Sequence, residues 1–214
     1  MVAKTYKVII ELGGTMSKPD LPIHLDGLLS SAKTAEDGGD WTNQHDLPIE
    51  RFEGENGWCF KASTLRFSPV AQEVIAKTNK IDVTHLAEIV KNGVTKIPNK
   101  VSTASGKYKA DLYFDSVVLV DVVEAYVVTD SPDRVLELLK TLRFIGGNKG
   151  LGLGLVKSVQ LAEALKEEAD YWQHRFLPSE IDADCHAVVG RLRSPYWKHD
   201  EQVIVYNKSW NVVP

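Results

Sequence analysis

Cysteine is scarce in this sequence: Cys59 and Cys185 stand far apart, and neither belongs to a CxxC pair. That scarcity excludes a disulfide framework and a zinc knuckle and predicts two buried thiols. Long apolar runs are missing as well, and the start MVAKTYKVIIEL has neither the apolar stretch nor the small-residue cleavage site of a signal peptide. A cytoplasmic protein with no membrane partner is the resulting expectation. A basic excess is also lacking, since the formal charge is -4, which argues against a generic binder of nucleic acid. No low-complexity tract points to disorder, and 43% hydrophobic with 25% charged residues in 214 is the composition of a chain that folds. The simplest organisation is one domain over residues 1–214.

The average charge hides a segregation. From Ile89 to Ala110 there is no acidic residue, while Lys91, Lys96, Lys100, Lys107 and Lys109 all fall inside. From Glu36 to Glu55 there are seven acids against the single base Arg51. Solvated loop faces account for either run taken alone. The lysine-rich segment, about 91–110, reads as a loop, an irregular hairpin or an arm, given Pro98, Gly106 and its Ser/Thr content.

Strand and helix signals alternate. Tyr6 to Leu12 is β-rich and Gly13–Gly14 ends it. Asp26 is a candidate N-cap for a helix starting near Gly27, Trp58 to Leu65 reads as a strand, and Val83 to Lys91 has helical spacing closed by Asn92 and Gly93. Ser116 to Thr129 is dominated by β-branched residues and predicts a strand. Ser131 and Pro132 open a helix, Asp133 to Leu142, with Val135, Leu138, Leu139 and Leu142 on one face. LGLVKSVQL is a further strand, Leu161 to Tyr171 a short helix, and Ala187 to Leu192 and Gln202 to Tyr206 are additional C-terminal strands. The fold class is α+β.

Between that helix and the LGLVKSVQL strand lies IGGNKGLGLGL, with Gly146, Gly147, Gly150, Gly152 and Gly154. A dinucleotide fingerprint needs strand, glycines, helix, so that the pyrophosphate meets a helix N-terminus; here the order is reversed. A P-loop needs Gly-Lys-Ser or Gly-Lys-Thr, which Gly147-Asn148-Lys149-Gly150 does not supply. If the run is extended, Gly150, Gly152 and Gly154 share one face and Leu151, Leu153 and Leu155 the other. Interior glycines cost roughly 0.5 to 1 kcal/mol each relative to alanine, so a bare face implies that something approaches it. A phosphate backbone satisfies that condition; a tight turn or bulge beneath a bulky neighbour does so too.

The glycine pattern GGxxGxGxG after a helix and before a strand resembles the signature of the RAMP superfamily of CRISPR-associated proteins. PIHLDGLLS, Pro22 to Ser30, and RLRSPYW, Arg191 to Trp197, resemble a narrower group, the Cas5-like subunit of type IV systems. The resemblance implies a ferredoxin-like, RRM-related fold and a non-catalytic subunit that binds guide RNA at its 5′ handle and caps a filament of backbone subunits. It implies other effector subunits as partners, a large subunit among them, with the target DNA duplex as a further contact, and no cofactor or metal. Gly146, Gly147, Asn148, Lys149, Gly150, Gly152, Gly154 and Lys157 are then the phosphate-facing candidates. Arg191, Arg193, Tyr196 and Trp197 have the chemistry to stack on or hydrogen-bond splayed bases, and Lys100, Lys107 and Lys109 belong to a segment that would track the RNA as an arm or contact the next subunit.

Two rival readings follow from the same residues. Some RAMP proteins are metal-independent endoribonucleases, and His24 and His85 are the candidate general bases for such chemistry. A purely structural assembly subunit would instead use the glycine face to receive protein. His174 and the group Asp182, Asp184, Cys185 and His186 match no familiar metal spacing.

Overall fold

The computed structural model describes residues 2–79, 83–92, 109–198 and 200–210. In chain order its elements are β1 (Lys4–Ser17), α1 (Leu25–Glu36), β2 (Arg51–Gly54), β3 (Gly57–Phe60), β4 (Ala71–Asn79), α2 (Val83–Lys91), β5 (Asp111–Thr129), α3 (Pro132–Lys140), β6 (Val156–Glu163), β7 (Phe176–Leu177), β8 (His186–Gly190) and β9 (Val203–Asn207). The fold is α+β, with paired strands predominating over three α-helices among the described residues. Contacts divide the chain into a larger unit, Met1–Ala71 with Val118–Pro214, and a smaller one, Gln72–Val117.

In the larger unit β1 is hydrogen-bonded to β5 on one side and to β6 on the other. The β1–β6 pair is antiparallel, running from Tyr6 opposite Glu163 to Leu12 opposite Val156, with a slip between Glu11 and Leu12. Alternation sends Val8, Ile10 and Leu12 of β1 into the core. There they meet Leu25, Leu29 and Ala32 of α1, Val135, Leu138 and Leu139 of α3, and the buried valines of β5. Lys7, from the intervening register of β1, instead pairs with Glu124 at 2.6 Å.

A second core gathers Cys59, Val128, Trp172, Leu177, Leu192 and Val205 beside a small antiparallel sheet ordered β7-β9-β8. In the smaller unit, α2 and β4 accompany the first residues of β5. Lys77 of β4 forms an ion pair with Asp115.

Several expectations change. β1 does not stop at the glycine pair: it continues to Ser17, with Gly14 at φ +144. Asp26 is not the cap of α1; His24 holds that position, without a side-chain cap bond, and Asp26 is fully buried in the first turn. The Trp58–Leu65 strand is only Gly57–Phe60, followed by single bridges at Ala62, Thr64 and Arg66. β6 runs on to Glu163, so no α-helix occupies Leu161 to Tyr171; one short 3-10 turn, Lys166–Glu168, lies there and a second, Tyr171–Gln173, begins at its end. Cys59 is buried, but Cys185 is half-buried.

The side chain that joins the two cores is Arg175, which is fully buried. Its Nη1 donates to the carbonyls of Phe60 at 2.5 Å and Ala62 at 2.7 Å, its Nη2 to that of Leu192 at 2.7 Å, and its Nε to that of Phe176 at 3.1 Å. The same fork meets Asp26 at 3.4 Å and the Tyr196 hydroxyl at 3.0 Å, and that hydroxyl donates to Asp26 at 2.7 Å. Burial pushes the Asp26 carboxyl up, against the pull of Arg175 and Tyr196. Burial also works against the Arg175 charge, yet the Asp26 carboxylate, with the Tyr196 hydroxyl accepting from Nη2, holds it above the ordinary guanidinium value. Removing one partner of a buried pair strands the other. Arg175→Met is therefore expected to destabilise the protein by about 3–5 kcal/mol, read as a lower urea midpoint; an unchanged midpoint would show that the carbonyls find other donors.

Candidate nucleic-acid interface

The glycine segment is a loop closed at its neck and mounted on the end of β1. Ile145 N–H donates to the Gly154 carbonyl at 2.8 Å, Gly154 N–H to Thr15 at 2.9 Å, and Gly13 N–H to Leu155 at 2.7 Å. The Asn148 amide donates to Ser17 Oγ at 2.9 Å, and that hydroxyl donates to the Gly147 carbonyl at 3.3 Å. Within the loop Lys149–Leu151 makes one 3-10 turn, entered through Asn148 and left through Gly152, both left-handed.

This geometry corrects the extended reading of Gly150 to Leu155. Of the three leucines only Leu153 is buried, at 9%, while Leu151 and Leu155 are exposed at 57% and 43%. The bare face at Gly154 is covered by the chain itself: a Cβ there would stand 1.9 Å from the Ile145 carbonyl oxygen, on a residue with φ +71. By contrast, a Cβ at Gly150 or Gly152 would meet nothing within 4 Å. Gly146, Gly147, Asn148, Lys149, Gly150 and Gly152 thus lie together on one projecting loop, with Gly154 in its neck. Lys157 is exposed near the start of β6.

The segment Arg191 to Trp197 separates into four environments. Arg191 is buried and donates to the Lys198 carbonyl at 3.0 Å and the Glu201 carboxylate at 2.7 Å. Arg193 lies over the Trp58 indole. Tyr196 is anchored by Asp26 and Arg175, and stacks on His24 with centroids 4.2 Å apart. Gly27 permits this, because a Cβ there would crowd the Tyr196 ring at 3.3 Å. Trp197 is 75% exposed and, with Trp41, lines a cleft of about 600 Å³ along α1. PIHLDGLLS and RLRSPYW, distant in sequence, therefore meet at this cleft.

Lys109 is exposed in the smaller unit, and Lys100 and Lys107 lie outside the described residues. The sequence reading missed Arg175, for which a lone arginine between Gln173-His174 and Phe176 offered no signal. It also missed the β2–β3 hairpin with Arg51 and Trp58, although the Asn56-Gly57 dipeptide between alternating segments was a signal for it.

Of the candidate bases, His24 is enclosed, and desolvation, with Arg175 adding, holds its pKa well below the ordinary value, so the ring is neutral. Among the described residues neither of its nitrogens has a hydrogen-bond partner. The side chain of His85 lies outside the described residues. His174 Nδ1 faces the Ser209 carbonyl at 3.1 Å and the ring stacks on Trp210. Asp182 forms an ion pair with Lys208 and accepts from the Asp184 N–H and the Cys185 thiol. No group of three potential metal ligands occurs among the described residues, nor does any helix there have the length and apolarity to cross a membrane.

Two predictions follow from these placements. Gly154→Ala should cost about 2–5 kcal/mol through its left-handed backbone and the Ile145 carbonyl, whereas Gly150→Ala should leave urea stability equal or raise it by about 0.4–1 kcal/mol. The buried neutral His24 binds a proton only after unfolding, so its contribution is intact above the unfolded pKa and declines as pH falls below about 6.5, by at most about 1.4 kcal/mol per pH unit. His24→Phe should flatten that part of the stability–pH curve; equal slopes in both proteins would place the titration elsewhere.

No curated protein matches the chain. Residues 4–208 match the family model described as CRISPR type IV associated protein Csf3. That match takes in β1, the α1 motif, the glycine loop and the Arg191–Trp197 segment, so the chain belongs to the Csf3 family of Cas5-like type IV CRISPR-associated proteins.

Proposed function

We propose that this chain is a non-catalytic RNA-binding subunit of a type IV CRISPR effector complex, one that grips the 5′ handle of the guide RNA and caps the backbone filament. The observation that carries this reading is the projecting glycine loop. The Lys149 and Gly150 N–H groups make no hydrogen bond among the described residues. The Cβ positions of Gly150 and Gly152 open onto free space, and Lys149 is exposed beside them. Unpaired amides, absent side chains and one cation together suit a phosphate.

The element succession supports a ferredoxin-like reading. Strand, helix, strand, strand, helix, strand are supplied by β1, α1, β4, β5, α3 and β6, in the hydrogen-bonded order β4-β5-β1-β6. The β2–β3 hairpin and α2 are then insertions, and β7 to β9 the additional C-terminal strands. Enclosure of His24 favours a binding role over repeat cleavage, since a general base must reach the proton it removes.

The test is recovery of RNA with the tagged protein and its partner chains from the native host. RNAs with one uniform 5′ end are expected. A Gly150→Glu chain should still assemble but retain on the order of ten-fold less RNA, as a like charge beside phosphate costs about 1–2 kcal/mol. Assembly lost without an RNA-specific defect would instead make the loop a protein contact.

A further inference from the structure

The β2–β3 hairpin carries a cationic stack with no part in the loop just described. Arg51 is opposite Phe60 and Glu53 opposite Trp58, so these four share one face, while Phe52 and Cys59 turn toward the second core. Arg51 reaches diagonally, and its guanidinium carbon lies 4.2 Å from the Trp58 ring centroid. Arg193 brings a second guanidinium 4.5 Å from the same centroid and donates from Nη1 to the Trp58 carbonyl at 3.3 Å. Ring attraction offsets part of the repulsion between the two cations. Among the described residues neither Arg51 nor Arg193 forms an ion pair, and Glu53, on the same face, pairs with neither.

Beside the stack opens a cleft of about 400 Å³ whose wall includes Asn56, Trp58, Arg191, Asp200, Glu201 and Gln202. Arg191 is engaged by both carboxylates, Asp200 at 3.5 Å and Glu201 at 2.7 Å. Among the described residues its Nε is nevertheless buried without a partner, an arrangement native proteins rarely leave uncompensated.

We infer that this stack and cleft bind one unpaired nucleotide of single-stranded RNA, its base laid against the Arg193–Trp58 plane and its phosphate on the outward N–H groups of Arg51. Guanidinium and indole planes are sequence-tolerant platforms for bases. The amides and carboxylates of the cleft offer both donors and acceptors to a base edge. An acidic peptide would find the same two cations, but it brings no base plane to lay against the guanidinium and indole. The inference rests on the RNA-binding reading and places a second contact apart from the glycine loop.

The test is short-wavelength ultraviolet cross-linking of the complex purified from its own host, which joins bases to stacked side chains, followed by peptide mapping. Wild-type complex should give an RNA adduct on the peptide containing Trp58. The double variant Arg51→Gln, Arg193→Gln should lose it roughly ten-fold or more, while adducts on the glycine loop persist. Loop adducts with none on the Trp58 peptide, or an undiminished adduct in the double variant, would overturn this inference and leave the RNA reading standing. A Trp58 peptide joined to a neighbouring subunit would assign the stack to protein. A complex that carries no RNA would remove both readings together.

Discussion

A guanidinium cut off from water is tolerable only where acceptors surround it and a carboxylate balances it, and Arg175 meets both conditions by drawing on four parts of the larger unit. Its carbonyl partners come from β3, from Ala62 beyond it, from β7 and from Leu192. Asp26 comes from the first turn of α1, and Tyr196 from the C-terminal segment. Each acceptor would be costly to bury alone, so the requirement sets where these segments stand relative to one another. Tyr196, held in this way, fixes the segment that carries Arg193 toward the β2–β3 hairpin and Trp197 toward the cleft along α1.

The acidic balance of the chain is compatible with RNA contact because much of the acid is engaged locally. Glu36 and Asp37 are neutralised by Arg134 and Lys33, and Glu50 by Lys61 at 2.6 Å. Lys149 and Lys157 near the glycine loop, and Arg51 and Arg193 on the Trp58 indole, form no ion pair among the described residues. Net charge describes the long-range field, whereas a phosphate responds to charges within about a Debye length. A subunit that works inside a complex can also share its electrostatics with neighbouring chains.

Much of the architecture was legible in sequence where a periodic signal coincided with a strong propensity. The β-branched run became the second part of β5, Val83 to Lys91 became α2 at those bounds, and Ser131-Pro132 did open α3. Boundaries failed where tertiary contacts overrode local rules. Gly13 and Gly14 read as a stop, yet β1 continues because β6 and the glycine loop offer it partners. Asp26 read as a cap from its position before an apolar turn, yet a buried arginine nearly 150 residues later in the chain claims its carboxylate. The glycine run suggested alternation, but positive φ at Gly152 and Gly154 makes it a looped turn.

By itself, then, the sequence determined the α+β class, the principal strands and helices and, through three motifs, membership of the Csf3 family, because these depend on local periodicity and on residue identity. Only the tertiary structure decided which glycines face open space and which face the chain's own carbonyl. It alone separated Arg191, buried between carboxylates, from Arg193, stacked on an indole, though they are two residues apart. The physical reason is that burial and pairing depend on what long-range contacts bring near a side chain, and a linear pattern does not contain those neighbours.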